Sequence, residues 1–130
     1  MIAIDTNILV RYLTNDDPQQ ASLAVNLLNS KEQIWLSKTV LLETEWVLRA
    51  VYSLKSDKIL QGLLHVLGLP NIVSEQAMEV AFALDYYKQG MDFADALHLA
   101  SSQSSECFYT FDRNFAKVGK QTNISVELLK

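Results

Sequence analysis

Four carboxylates stand among apolar or small neighbours. Asp5 closes Ile2-Ala3-Ile4, Glu43 follows Val40-Leu41-Leu42, Asp95 lies within Phe93-Ala94-Asp95-Ala96-Leu97, and Asp112 follows Thr110-Phe111. A buried carboxylate costs several kcal/mol unless something compensates it. Four of them near one sheet edge therefore point to a compensating cation. Oxygen-only ligands select hard cations, so Mg²⁺ or Mn²⁺ is expected. Such a site lacks a Ser or Cys nucleophile with a His base. Its chemistry is to activate water and steady charge on phosphate oxygens. That fits hydrolysis of a phosphodiester.

Each acid also has a simpler reading. Asp5 suits a cap on the next helix, Asp112 a turn, and Glu43 an ion pair with Arg49. Glu45, two positions on, points to a different helix face and is expected to be solvated or salt-bridged. Asp92 shares a face with Asp95 but falls where an N-cap belongs. His65 reads as a partly buried structural histidine, and His98 is placed to orient a neighbour. Cys107 reads as a packed core thiol.

The elements that must carry these residues alternate. Apolar strands are expected at Ile2–Ile4, Ile34–Leu36, Ile72–Val73, Cys107–Thr110 and Ile124–Val126. Asp17 and Pro18 open a helix with Leu23, Leu27 and Leu28 inward. Ser37 or Thr39 caps a helix to about Tyr52. Ser56 caps one with Ile59, Leu60, Leu63, Leu64 and Leu67 inward, stopped by Gly68. Further helices are expected over residues 75–88, 92–103 and 113–118. Continuously apolar strands between helices predict an α/β protein with a parallel sheet covered on both faces. Sites in such folds form beyond the carboxyl ends of the strands, where Asp5 and Asp112 fall.

The chain has 130 residues, which fits one domain over residues 1–130. Apolar residues are 49% and charged residues 20%, enough for a packed core and against disorder. The net charge of −4 excludes a grossly basic nucleic-acid coat, and the single cysteine excludes a disulfide framework or a multi-cysteine zinc site. No apolar run approaches a membrane span, and the first residues lack a signal-peptide pattern. A cytoplasmic location is expected. Setting the four site acids aside, the other acids equal the 11 basic residues, so a polyanion is not repelled once the site is metallated. Arg11, Arg49 and Arg113, with Lys55, Lys58, Lys117 and Lys120, are candidates for contacting a phosphate backbone.

Taken in order, these segments resemble the motifs of the PIN-domain ribonucleases, and specifically the VapC-type toxins of bacterial and archaeal VapBC toxin–antitoxin pairs. Ile4-Asp5-Thr6-Asn7-Ile8-Leu9 resembles the first motif, with Thr6 and Asn7 supporting Asp5. Leu36-Ser37 through Leu42-Glu43 resembles the second. Asp92-Phe93-Ala94-Asp95-Ala96-Leu97-His98 resembles the third, with Asp95 as core acid and Asp92 as accessory. Thr110-Phe111-Asp112-Arg113-Asn114-Phe115 resembles the fourth, with Thr110 beside Asp112. No single motif is specific, but four in order are. His98 departs from the pattern, at a position usually apolar in this family.

The resemblance implies a three-layer α/β/α sandwich with a central parallel sheet. It implies Mg²⁺- or Mn²⁺-dependent endoribonuclease activity with Asp5, Glu43, Asp95 and Asp112 catalytic, and Asp5, Asp95 and Asp112 holding metal. It also implies RNA as substrate, a cognate VapB-type antitoxin and a homodimer. The helices of residues 20–28 and 56–67 are the expected antitoxin or dimer contacts. A metal-dependent aspartyl phosphatase wants a second acid where Asn7 stands, and a phospho-receiver module does not align. The remaining alternative is a PIN-like binding module that holds RNA or protein without cutting.

Overall fold

The computed structural model describes residues 1–130. The chain forms two compact units, Met1–Ala77 and Met78–Lys130.

In the first unit, β1 (Ile2–Ala3) leads through α1 (Thr6–Thr14) and α2 (Pro18–Leu28) to β2 (Ile34–Leu36). From there α3 (Lys38–Ala50) and α4 (Ser56–Leu67) lead to β3 (Ile72–Ser74). The strands form one parallel sheet in the order β1-β2-β3, with Ile2 opposite Ile34 and Ile34 opposite Ile72. Parallel pairs need such helical crossovers to return the chain. Ile34 and Leu36 are fully buried with Leu9, Leu28, Leu41, Leu48, Ile59 and Leu63. The loop into β2 is held by Asn71, whose Nδ2 donates to the carbonyls of Leu28, Ser30 and Glu32 at 3.0–3.2 Å.

In the second unit, α5 (Ala77–Lys88, its first residue at the unit boundary) and α6 (Phe93–Ala100) precede β4 (Phe108–Thr110), α7 (Arg113–Gly119) and β5 (Val126–Leu128). β4 and β5 pair in parallel, Tyr109 opposite Glu127. Phe115 of α7 stacks on Phe108 at 5.1 Å. Gly119 lies so close to β5 that a Cβ there would sit 2.7 Å from Val126 Cγ2. Gly90, after α5, has φ 107°, which glycine adopts without strain.

The α/β class with parallel strands is as expected. Asp17 caps α2 with Pro18 at its first position, and Ser37 caps α3 through the Val40 amide. Other details differ. Ser56 is the first residue of α4 rather than its cap, and Lys55 at the cap position offers no side-chain acceptor. Leu23 and Leu64 face solvent, while Ala21, Ala24 and Val66 are buried in α2 and α4. Both helices carry apolar residues on more than one face, so periodicity alone misassigns the inward stripe. The last strand begins at Val126, two residues later than expected. No helix is long and apolar enough to cross a membrane.

Candidate active site

Three of the expected site acids cap helices, and each does so with one carboxylate oxygen. Asp5 Oδ1 accepts from the Ile8 amide at 3.3 Å, Asp92 Oδ2 from Asp95 at 3.2 Å, and Asp112 Oδ1 from Phe115 at 3.0 Å. A single cap bond satisfies one orphan helix donor. It also fixes the side chain and leaves the other oxygen for a ligand. Capping and ligation are therefore compatible roles here.

In the first unit, Asp5 stands two residues beyond β1 and Thr6 begins α1. The buried Thr6 hydroxyl donates to Glu43 Oε1 of α3 at 2.5 Å. This bond ties the segment after β1 to the helix after β2, and it holds Glu43 with Oε2 free of that contact. Asn7 is exposed on the first turn of α1.

In the second unit, Thr110 ends β4 and its Oγ1 accepts from the Asp112 amide at 3.0 Å, which shapes the turn into α7. Asp95, on the first turn of α6, is held above the usual carboxylate range. Partial burial is the main cause, and the charges of Asp92 and Asp112 add to it, while His98 acts in the opposite sense. Two other carboxylates of the second unit thus add to the effect of burial on Asp95.

The premise that these acids are buried is corrected. Asp5, Glu43, Asp92 and Asp112 are exposed and Asp95 is half-buried. The buried carboxylate is Glu45, only 2% exposed, and its Oε2 accepts from Arg49 Nε at 2.9 Å. Arg49 thus pairs with Glu45 rather than Glu43, at the i,i+4 spacing that favours such pairs.

Two of the three candidate phosphate-contacting arginines are already engaged. Arg11 donates to Asp16 and Gln20 at 2.7 Å and to the Tyr52 hydroxyl at 3.2 Å. Tyr52 in turn donates to Asp16, and that bond, with Arg11, draws the Asp16 carboxyl below its ordinary range. Tyr52 was not anticipated, and nothing local in the sequence signals its partnership with Asp16. Arg113 is exposed. His65 is exposed rather than buried, stacked on Tyr12 with its Nε2 2.8 Å from the Tyr12 hydroxyl. Cys107 is only partly buried.

Neither unit by itself brings three His, Cys, Asp or Glu side chains close enough to hold a metal ion. The donor chemistry nonetheless suits a hard cation: carboxylate oxygens, three of them oriented by caps, and one acid crowded by like charges.

The chain belongs to the PIN-domain family, whose model matches residues 2–121. The α/β fold read from the sequence is the PIN fold. Among solved structures, it is similar to VapC20 of Mycobacterium tuberculosis, a toxin that cleaves the sarcin–ricin loop. The two share 18% identity over 92% of this chain and 95% of that one, with a TM-score of 0.46. At that level the likeness adds nothing to the family assignment. A search of curated proteins finds no match.

Proposed function

We propose that this PIN domain is a metal-dependent endoribonuclease of the VapC type, the toxin of a toxin–antitoxin pair. The observation that carries the reading is the placement of the acids. Asp5 and Asp112 follow the carboxyl ends of β1 and β4, and Glu43 and Asp95 lie on helices α3 and α6. This is where α/β folds build their sites. The family match spans both units, which supports one nuclease domain over residues 1–130 rather than two independent modules.

Asp5, Asp95 and Asp112 would hold Mg²⁺ or Mn²⁺. When bound, the cation supplies a water of lowered pKa and neutralises charge on the phosphate oxygens. The chain's own contributions are distinct. Asp5 and Asp112 are aimed by their caps. Thr6 fixes Glu43 through Oε1, so that Oε2 is left to orient the attacking water and take its proton. Thr110 and Asp92 hold the backbone around Asp112 and Asp95. Partners on this reading are an RNA substrate, a VapB-type antitoxin and a second copy of the chain, in the cytoplasm.

The test is cleavage of total cellular RNA by antitoxin-free protein with Mn²⁺ or Mg²⁺, beside EDTA and Asp5→Asn controls. Cleavage that needs both the metal and Asp5 is expected. Cleavage that survives either control overturns the reading. A folded, metal-loaded protein that binds RNA and never cuts it would favour the binding-module alternative.

A further inference from the structure

A cleft of about 390 Å³ in the second unit is lined by Arg113, Lys117, Lys120 and Lys130, with Glu127 its single acid. In a chain with net charge −4 and only 11 Lys and Arg, this gathers four cations on one small surface. None of the four forms an ion pair, Glu127 included. Like charges on so small a surface repel one another, and a bound anion relieves that repulsion. The cleft is rigidly mounted, because α7 is stacked on β4 through Phe115 and pressed to β5 at Gly119.

Two further features point to a single-stranded nucleic acid. Arg113 directly follows Asp112, so the cations begin at a candidate site acid. Immediately before it stand two exposed aromatics, Tyr109 at 63% and Phe111 at 78%. Tyr109 is the cross-strand partner of Glu127, which lines the cleft. Solvent-facing aromatic rings beside a basic groove are the means by which proteins hold single strands: bases stack and phosphates pair.

The geometry points to this cleft as the docking track for the RNA strand that is cut. Lys117, Lys120 and Lys130 hold consecutive backbone phosphates, Arg113 holds the phosphate nearest Asp112, and Phe111 stacks a flanking base. The inference rests on the ribonuclease reading and names the surface by which that site engages its substrate.

The experiment is fluorescence anisotropy of a short single-stranded RNA against the full chain in EDTA, over a salt series. The proteins are wild type, the triple variant K117Q/K120Q/K130Q, and F111A. Each phosphate neutralised on a single strand contributes about 0.7 to the slope of log affinity against log salt. The triple variant is expected to lower that slope by about 2. F111A is expected to lose about tenfold in affinity with the slope unchanged. An unchanged slope in the triple variant overturns the proposal. So does a glutamate-rich peptide that loses binding in the triple variant while the RNA does not, which would give the cleft to an acidic protein partner.

A parallel Mn²⁺ cleavage assay separates the two failures. A wild type that binds RNA with the expected slope but never cuts removes the nuclease reading and leaves the cleft. A wild type that cuts, with KM unmoved in the triple variant, removes the cleft and leaves the nuclease.

Discussion

The two units handle their site acids in opposite ways. In the first, Glu43 is satisfied before any ligand arrives, since it accepts from Thr6 and is held across two helices. In the second, Asp95 is crowded by Asp92 and Asp112 and resists ionisation. A neutral hydroxyl suffices to orient a carboxylate. A carboxylate crowded by like charges is relieved by a proton or by a cation. Glu43 is thus oriented by a neighbouring hydroxyl, whereas Asp95 is shaped by burial and neighbouring charge.

The largest test of that contrast is Asp95→Asn. On the account given, cleavage falls by at least about 100-fold, because even the outer partners of metal ligands are worth 10–100-fold. Cleavage rates with Mn²⁺ held saturating check this.

Thr6→Val should cost less, about tenfold in kcat with little change in Mn²⁺ affinity, since it frees Glu43 without removing a ligand. A Thr6→Ser variant should restore most of the rate. If Thr6→Val instead abolishes metal binding, the Thr6–Glu43 bond serves the metal site and not only the orientation of Glu43.

Gly119→Ala probes the mount of the basic cleft. The added methyl would meet Val126, and α7 must shift. Overpacking of this kind costs about 1–3 kcal/mol, measured by urea unfolding, with the exposed acids of the first unit unaffected.

The smallest effect is in stability against pH. The carboxyl of Asp95 titrates above its ordinary value of 3.8 in the folded chain. The folded state therefore holds that proton more tightly than the unfolded one. The stability this confers is complete below the unfolded value and lost as pH rises through the folded one. In EDTA, Asp95→Asn should thus raise Tm at neutral pH, with the gain vanishing below about pH 4. Thermal melts across that range check the sign.

Much of this was legible locally. The caps at Asp5, Asp17, Ser37 and Asp92 follow from short-range chemistry, in which a side chain bonds an amide three residues on. The α/β class followed from apolar strands between amphipathic segments. Most of what failed depends on which neighbours pack against each helix face. Whether Glu43 or Glu45 is buried is decided by what packs on each face of α3. Leu23 and Leu64 carry no mark of facing outward. Arg11 is engaged by Asp16 and Gln20, five and nine residues on, as well as by Tyr52, 41 residues away. Thr6 was placed in support of Asp5, whereas its hydroxyl serves Glu43.

The central proposal is that Asp5 and Asp95 are each needed to hold a divalent cation. Calorimetric titration of Mn²⁺ into wild type, Asp5→Asn and Asp95→Asn tests it most directly. The account predicts saturable binding by the wild type, severely weakened in both variants while each keeps its folded circular dichroism. Undiminished Mn²⁺ binding by folded Asp5→Asn would contradict it, because Asp5 would then not be needed to hold the ion.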